Sequence, residues 1–454
     1  MSRFGRVVSH RVLALDVAIG ALLLVGCARV DTDTEGAPAP VAVPEVSAPA
    51  IVRDPPTLAP VLRAPKKVPD ATAGHLEHPA RLASLFSRLH ALEEHEADSD
   101  VRIVQFGDSH TSSDYGTSVA RARLAGRFGD GGRGFIPMGA PYKRLFQAGE
   151  GMARGTSFDP EEGSLYAKGV RPDGFYGPTG IAMDAKRAGA SMTSELSASA
   201  DRFEIAYLTQ PNGGSFDIYL DGQRTGRVAT HGESRASGFH PLEVTRGPHT
   251  LEVRAVGDGA VRVFGVRLDD SAAGVTFDAL GVNAAKATTQ LSSDETHFGE
   301  QLAHIAPALA IIAYGTNESG DSTTTPDDHV AALRSLVERV KKGAPGVECL
   351  VLGPPDRDAK TYTGARTLPK LVDILAAQRQ AADEAGCAFY DQFMVMGGQG
   401  AIGRWANESP PRARRDFVHL TRAGYAFLAE ALVQDLLTAY ASWKGDSALA
   451  EGTR

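Results

Sequence analysis

Residues 101–110 read VRIVQFGDSH. An apolar run breaks abruptly into Gly107-Asp108-Ser109-His110, and the hydroxyl-rich stretch TSSDYG (111–116) follows. Val101–Phe106 has the length and β-branched content of a strand. TSVARARLAGRFG (117–129) then reads as a helix with Gly129 as its C-cap. A strand, a tight turn bearing Ser109 and a helix would present a nucleophile at the carboxyl end of a strand, where open α/β sheets place their sites. The same residues also fit an ordinary N-cap and turn, because short Gly/Ser/Asp clusters are mostly turns. The rest of the chain has to discriminate.

Three further stretches do so. ALAIIAY (308–314) is a nearly continuous apolar run, the pattern of a strand covered on both faces, and it ends in Gly315-Thr316-Asn317-Glu318. GVNAAKA (281–287) is a loop of small residues upstream of it. RRDFVHLTRAGYAFLAEAL (414–432) sets Asp416 three residues before His419, ahead of a helix that Thr421 can cap. Each alone has a bland explanation: a turn for Gly-Thr-Asn, helix capping for Asp-x-x-His, and backbone bonding within the turn for Asp108. His110 reads as a pocket or surface histidine, since adjacent side chains rarely point at each other. The conjunction, in order and at strand ends, reads as chemistry. A serine hydroxyl needs a base to become a nucleophile. A histidine can take that proton and return it to a leaving alcohol, while a carboxylate fixes its tautomer.

On these motifs the chain resembles the SGNH/GDSL hydrolase superfamily over roughly residues 76–139 and 278–443. The resemblance implies an α/β fold, a flavodoxin-like three-layer hydrolase with a five-stranded parallel sheet closed by a helix over 425–440. It implies Ser109 as nucleophile, His419 as base and Asp416 as its partner. The oxyanion hole would combine the Ser109 N–H, the Asn317 side-chain amide and a backbone N–H from the second loop, with Asp108 and Gly315 supporting. The family usually has glycine in that second loop. Here Ala284 is the best match, with Gly281 three residues earlier, and only an N–H is required. Glu318 replaces the commoner aspartate and is expected to act on bonding behind the site.

Spacing implies an insert. Ser109 and Ala284 lie 175 residues apart (284 − 109), far more than one helix and one strand need. Within 142–276, DRFEIAYLTQ, GGSFDIYLDGQRTGRV, GPHTLEVRAV and GAVRVFGVRLDD alternate apolar and polar residues between Gly-rich turns. That pattern predicts an antiparallel β-sandwich, similar to a jelly-roll carbohydrate-binding module or else a structural insert shaping the cleft. Tyr166, Phe175 and Tyr176 are candidate sugar-stacking aromatics or core. The hydrolase is thus expected in two parts, 75–141 and 277–445, with a disordered tail at 446–454.

The N-terminus reads as an address. Arg3, Arg6 and Arg11 precede an apolar stretch over 17–25 that is short for a membrane span. Leu24-Val25-Gly26-Cys27 resembles a bacterial lipobox, which implies a signal peptide over 1–27 and lipidation at Cys27. In a Gram-negative host, Ala28 in place of aspartate would favour the outer over the inner membrane. Residues 28–74 are dense in proline and alanine, as in an extended tether reaching on the order of 100 Å. Net charge is −8, which argues against nucleic acid as a partner. The histidines and three cysteines show no zinc-ligand spacing, so no metal or cofactor is expected. Cys349 and Cys387 fall in apolar runs that read as neighbouring strands; a disulfide and two buried thiols are both compatible with the sequence.

More narrowly, GDSH, RFGDGGRGF, GTNE and MGGQGAIGRW resemble the bacterial peptidoglycan O-acetylesterases. That implies removal of acetyl groups from N-acetylmuramic acid by a lipid-anchored enzyme of the cell envelope. The same motifs leave open another acetylated polysaccharide, a lipid ester, acetyl transfer, or a non-catalytic glycan-binding lipoprotein.

Overall fold

The computed structural model describes residues 74–139, 150–151, 173–196, 200–358 and 366–451. The proposed signal peptide, Cys27, the tether and Tyr166 lie outside the described residues. The chain forms β1 (Leu76–Glu77), a 3-10 turn, α1 (Ala83–Glu93), β2 (Val101–Gly107), α2 (Ser109–Ser112) and α3 (Tyr115–Phe128). Strands follow: β3 (Gly132–Ile136), β4 (Glu150–Gly151), β5 (Met183–Ala185), β6 (Ser191–Leu196), β7 (Arg202–Thr209), β8 (Ser215–Leu220), β9 (Gln223–Ala229), β10 (Ala236–Glu243), β11 (His249–Ala255) and β12 (Val261–Asp269). The chain then alternates through β13 (Val275–Gly281), α4 (Ala287–Gln290), α5 (Glu295–Ile305), β14 (Leu309–Ala313), α6 (Thr316–Gly320), α7 (Pro326–Gly343), β15 (Glu348–Gly353), α8 (Pro369–Glu384) and β16 (Ala388–Asp391). It closes with α9 (Gln392–Val395), α10 (Ala401–Ala406) and α11 (Arg422–Glu451).

One sheet has the order β1-β16-β15-β14-β2-β13. Its last five strands pair in parallel, and β1 adds an antiparallel edge. Strand alternation divides the core between two faces. Val101 and Ile103 pack with Leu85, Phe86, Leu124 and Leu432 from α1, α3 and α11. Val104 and Phe106 pack with Phe298, Leu336 and Leu371 from α5, α7 and α8. Both faces are dry, so the central strands are continuous apolar runs. Each fully buried large side chain contributes about 1.5–3 kcal/mol. The carboxyl ends of β2, β13 and β14 emerge side by side, with Gly107 opposite both Gly281 and Ala313. This is the three-layer α/β hydrolase fold. Cys349 in β15 and Cys387, just ahead of β16, are joined by a disulfide.

Two antiparallel sheets sit between α3 and β13 in the chain. One runs β10-β7-β12-β3, with β5 also on β12, and the other runs β4-β6-β11-β8-β9. Met183, Ile205, Val253 and Val263 are among the residues that fill the core between them. These sheets begin earlier than the predicted boundary at 142, because Ile136 of β3 pairs with Val266 of β12. β3 is buried along its whole length, so it shows no alternation to read. At the other end, Val275 and Thr276 belong to β13 and pair with Val101 and Arg102.

One alternative is decided and one boundary is corrected. Tyr176 is only 2% exposed, and its carbonyl accepts bonds from His297 and Gln301, so it is core and no sugar platform. Phe175 is half-buried, with the Arg235 guanidinium 4.8 Å from its ring centroid. The last helix runs over Arg422–Glu451, longer than 425–440, and takes in much of the predicted tail. Ala, Leu and Glu in DSALAE favour helix intrinsically.

Candidate active site

The site starts with a close approach of two loops. A Cβ on Gly281 would lie 2.8 Å from the Asp108 carbonyl oxygen, so only glycine lets the second loop pass the serine turn. Asp108 caps α2: its Oδ1 accepts the His110 N–H at 2.9 Å. Its side chain is fully enclosed, and burial, with the nearby Glu318 carboxylate, pushes its pKa up to about 7 against the bonds from His110 and Thr316.

Ser109 follows at the first position of α2. Its Oγ lies 3.0 Å from His419 Nε2. His419 Nδ1 lies 2.9 Å from Asp416 Oδ2, and Asp416 Oδ1 accepts the His419 and Val418 N–H groups at 2.9 and 3.0 Å. Partial burial raises the Asp416 pKa, but the bonds from His419 and these N–H groups outweigh it. They hold the carboxyl well below the usual range. The tight turn places Phe417 in the left-handed region, at φ 51°. Thr421 accepts the Gly424 N–H at the start of α11.

Asn317 lies in the first turn of α6. Its Nδ2 donates to the Ala285 carbonyl at 2.8 Å and makes a longer 3.4 Å contact with Asp108 Oδ2. Ala284 sits beside Ala285 with φ 61°. Among the described residues, neither the Ser109 nor the Ala284 N–H donates to a protein acceptor. Gly315 has φ 119°, and a Cβ there would come within 3.0 Å of Pro354, so glycine is required on both counts. The structure therefore brings Ser109, His419 and Asp416 into one hydrogen-bonded chain, with Asn317 and the Ala284 loop meeting at Ala285.

His110 turns away from Ser109 and bonds through Nδ1 to the Tyr425 hydroxyl at 2.9 Å. Its ring lies 5.5 Å from that of His419. Burial, with positive charge from His419 and Arg357, lowers its pKa to about 3, so it stays neutral. Several polar partners have no sequence signal. Asn283 accepts the Ser112 hydroxyl at 2.6 Å. His329 and Gln378 approach each other at 2.9 Å behind α6, from the inward faces of α7 and α8.

One group has the composition of a metal site: His90, Glu93 and Glu94 hold ligand atoms within 4.8 Å of one another. Lys444 Nζ lies 3.0 Å from Glu93 and 3.4 Å from Glu94, and Arg127 and Tyr440 also bond Glu93. Ion pairs therefore already satisfy these carboxylates.

Residues 243–427 match the model of the GDSL-like lipase/acylhydrolase family. That stretch includes Asn317, Asp416 and His419. No curated protein matches the chain. Among solved structures, a peptidoglycan O-acetylesterase is 23% identical with a TM-score of 0.66, covering 79% of this chain and 96% of its own. A family two carbohydrate esterase from Clostridium thermocellum is 11% identical over 55% of this chain and 92% of its own, with a TM-score of only 0.25. The family match and the meeting of the motif residues at three strand ends agree: residues 243–427 form a domain of the GDSL-like lipase/acylhydrolase type.

Proposed function

We propose that this chain is a serine esterase that removes O-acetyl groups from cell-wall glycan, with acetylated N-acetylmuramic acid of peptidoglycan as its substrate. One observation carries the chemistry: the chain from Ser109 Oγ through His419 to Asp416, with links of 3.0 and 2.9 Å. His419 Nε2 takes the Ser109 proton as Oγ attacks the acetyl carbonyl. Asp416 accepts the Nδ1–H and stabilises the imidazolium. The Ser109 N–H, the Ala284 N–H and Asn317 Nδ2 stabilise the tetrahedral oxyanion, each donor contributing on the order of 3 kcal/mol. Collapse expels the sugar oxygen, which receives the proton from His419, and leaves acetyl-Ser109. Water, deprotonated by His419, then releases acetate and restores the serine. The choice of glycan is supported by the fold shared with a peptidoglycan O-acetylesterase. The lipobox-like sequence at Cys27 supports an anchored envelope enzyme, on the periplasmic side of an outer membrane.

The test is acetate release from O-acetylated peptidoglycan, beside acetylated xylan, by the full chain and its Ser109→Ala variant. The expected result is release from peptidoglycan that falls by at least about 1000-fold in the variant. Equal release by both proteins would overturn the serine mechanism. Serine-dependent release from xylan alone would move the substrate to another acetylated polymer.

A further inference from the structure

We propose that Glu318 is a positioning residue that ties together the two loops of the oxyanion hole. It shares one buried carboxylate between the Gly315 N–H and the Ala287 N–H, with His329 behind it. The inference rests on the esterase reading above and adds to it a residue that never meets the substrate.

Glu318 follows Asn317 in the chain but points the other way. Its residue is 2% exposed. Oε2 accepts the Gly315 N–H at 3.0 Å, on the residue that lets β14 turn into α6. Oε1 accepts the Ala287 N–H at 2.9 Å, at the first position of α4, where the second loop ends. The same Oε1 lies 3.2 Å from Nδ1 of His329, which is itself fully enclosed. His329 Nε2 lies 2.9 Å from Gln378 Nε2, which also donates to the Tyr314 carbonyl at the end of β14. Burial raises the carboxyl pKa, but His329 and the Ala287 N–H outweigh it, so Glu318 is held ionised.

The geometry matters because the two loops share a boundary at the hole. Asn317 Nδ2 spends one hydrogen on the Ala285 carbonyl. The other hydrogen makes only the longer 3.4 Å contact with Asp108 Oδ2, which an oxyanion would replace, and its direction is set by the bond to residue 285. The Ala284 N–H is aimed by the same loop. A buried carboxylate accepting one N–H from each side fixes the separation of these donors more firmly than apolar packing, because leaving either N–H unpaired in the interior carries a desolvation penalty. Glutamate is long enough for this span. A donor held in advance at the oxyanion position stabilises the transition state more than the ground state. The effect therefore belongs in kcat.

The experiment uses the full chain with an acetyl ester substrate, and Ser109→Ala as the reference for serine dependence. Glu318→Gln keeps one acceptor and turns an amide donor toward the other N–H. Ala287→Pro removes only that second N–H, at a helix position where proline is tolerated and after a residue, Lys286, already extended at ψ 168°. The expected result is a kcat about 100-fold lower in Glu318→Gln and about 10-fold lower in Ala287→Pro, with KM within about threefold. In an Asn317→Ala background, Glu318→Gln should cost less than about tenfold, because one of the two donors it aims is gone. Full additivity with Asn317→Ala would overturn the proposal, as would a kcat within about threefold of the parent in both single variants. If Glu318→Gln does not fold, Ala287→Pro decides on its own by the same split of kcat and KM. Hydrolysis that survives Ser109→Ala would instead indict the esterase reading, which keeps the two failures apart.

Discussion

Asp416 reaches His419 twice, once at the ring and once at the backbone, although only two residues separate them. Phe417 makes this possible by accepting φ 51°, which costs a bulky L-residue about 1–2 kcal/mol and is held by burial of its ring and by the bond from the Asp358 N–H to its carbonyl. The double bond makes Asp416→Asn a clean variant. An asparagine oxygen can still accept the Val418 and His419 N–H groups, so the turn keeps its shape. Its amide then faces His419 Nδ1 as a donor and favours the tautomer with the proton on Nε2, which cannot receive the serine proton. We expect kcat to fall by about 10⁴-fold with Tm within about 3 °C of the parent. A loss below about tenfold would mean that the tautomer is set by something other than Asp416.

At the scale of elements, the strand–turn–helix of β2 and α2 was the most legible part of the chain. Its apolar run, its glycine and its capping aspartate are contiguous, and each has a local physical reason. The same holds for β14 with α6 and for the turn leading into α11. What could not be read was non-local. β10 lies at the edge of its sheet with most side chains half-exposed and Pro241 within it, so it carries neither alternation nor a buried run. Glu318 was visible only as a departure from a motif, because its partners come from α4, α7 and the end of β14. Asp108 shows how such an element responds to pH. With its pKa pushed up to about 7, the folded protein holds that proton between about pH 4 and 7, where the unfolded chain has already released it. Stability therefore falls as pH rises through this window, by at most about 1.4 kcal/mol per pH unit from this group, and levels off above it. Asp100 and Glu348, pushed by burial to about 6 and about 7, add slopes of the same sign. Those slopes cancel in a comparison with Asp108→Asn. Urea unfolding of both proteins from pH 4 to 8 should show the variant gaining on the parent across that range. A constant difference would place the Asp108 proton elsewhere.

At the scale of the molecule, the question is whether the antiparallel insert is an appendage or part of one folding unit. Its last strand, β12, feeds directly into β13 of the parallel sheet. Arg267 of β12 donates to Asp278 of β13 at 2.9 Å, and that carboxylate is completely buried. The other oxygen of Asp278 accepts the Phe135 N–H from β3 at 3.2 Å. Arg267 also bonds Asp269, which in turn pairs with Arg102 of β2. Beside this seam, Phe135, Ala206 and Phe264 from the insert pack in the same apolar cluster as Phe298 and Leu302 of α5. A polar seam of this kind is marginal as a source of net stability, yet breaking it leaves a charge buried without its partner, at about 3–5 kcal/mol. Because Asp278 belongs to the sheet that carries the site, that penalty should fall on both parts together. Calorimetry of the full chain should give a single transition with equal calorimetric and van't Hoff enthalpies, and Arg267→Ala should move the whole transition down. Two resolved transitions, with only one displaced by Arg267→Ala, would show that the insert folds on its own and that the seam merely docks it.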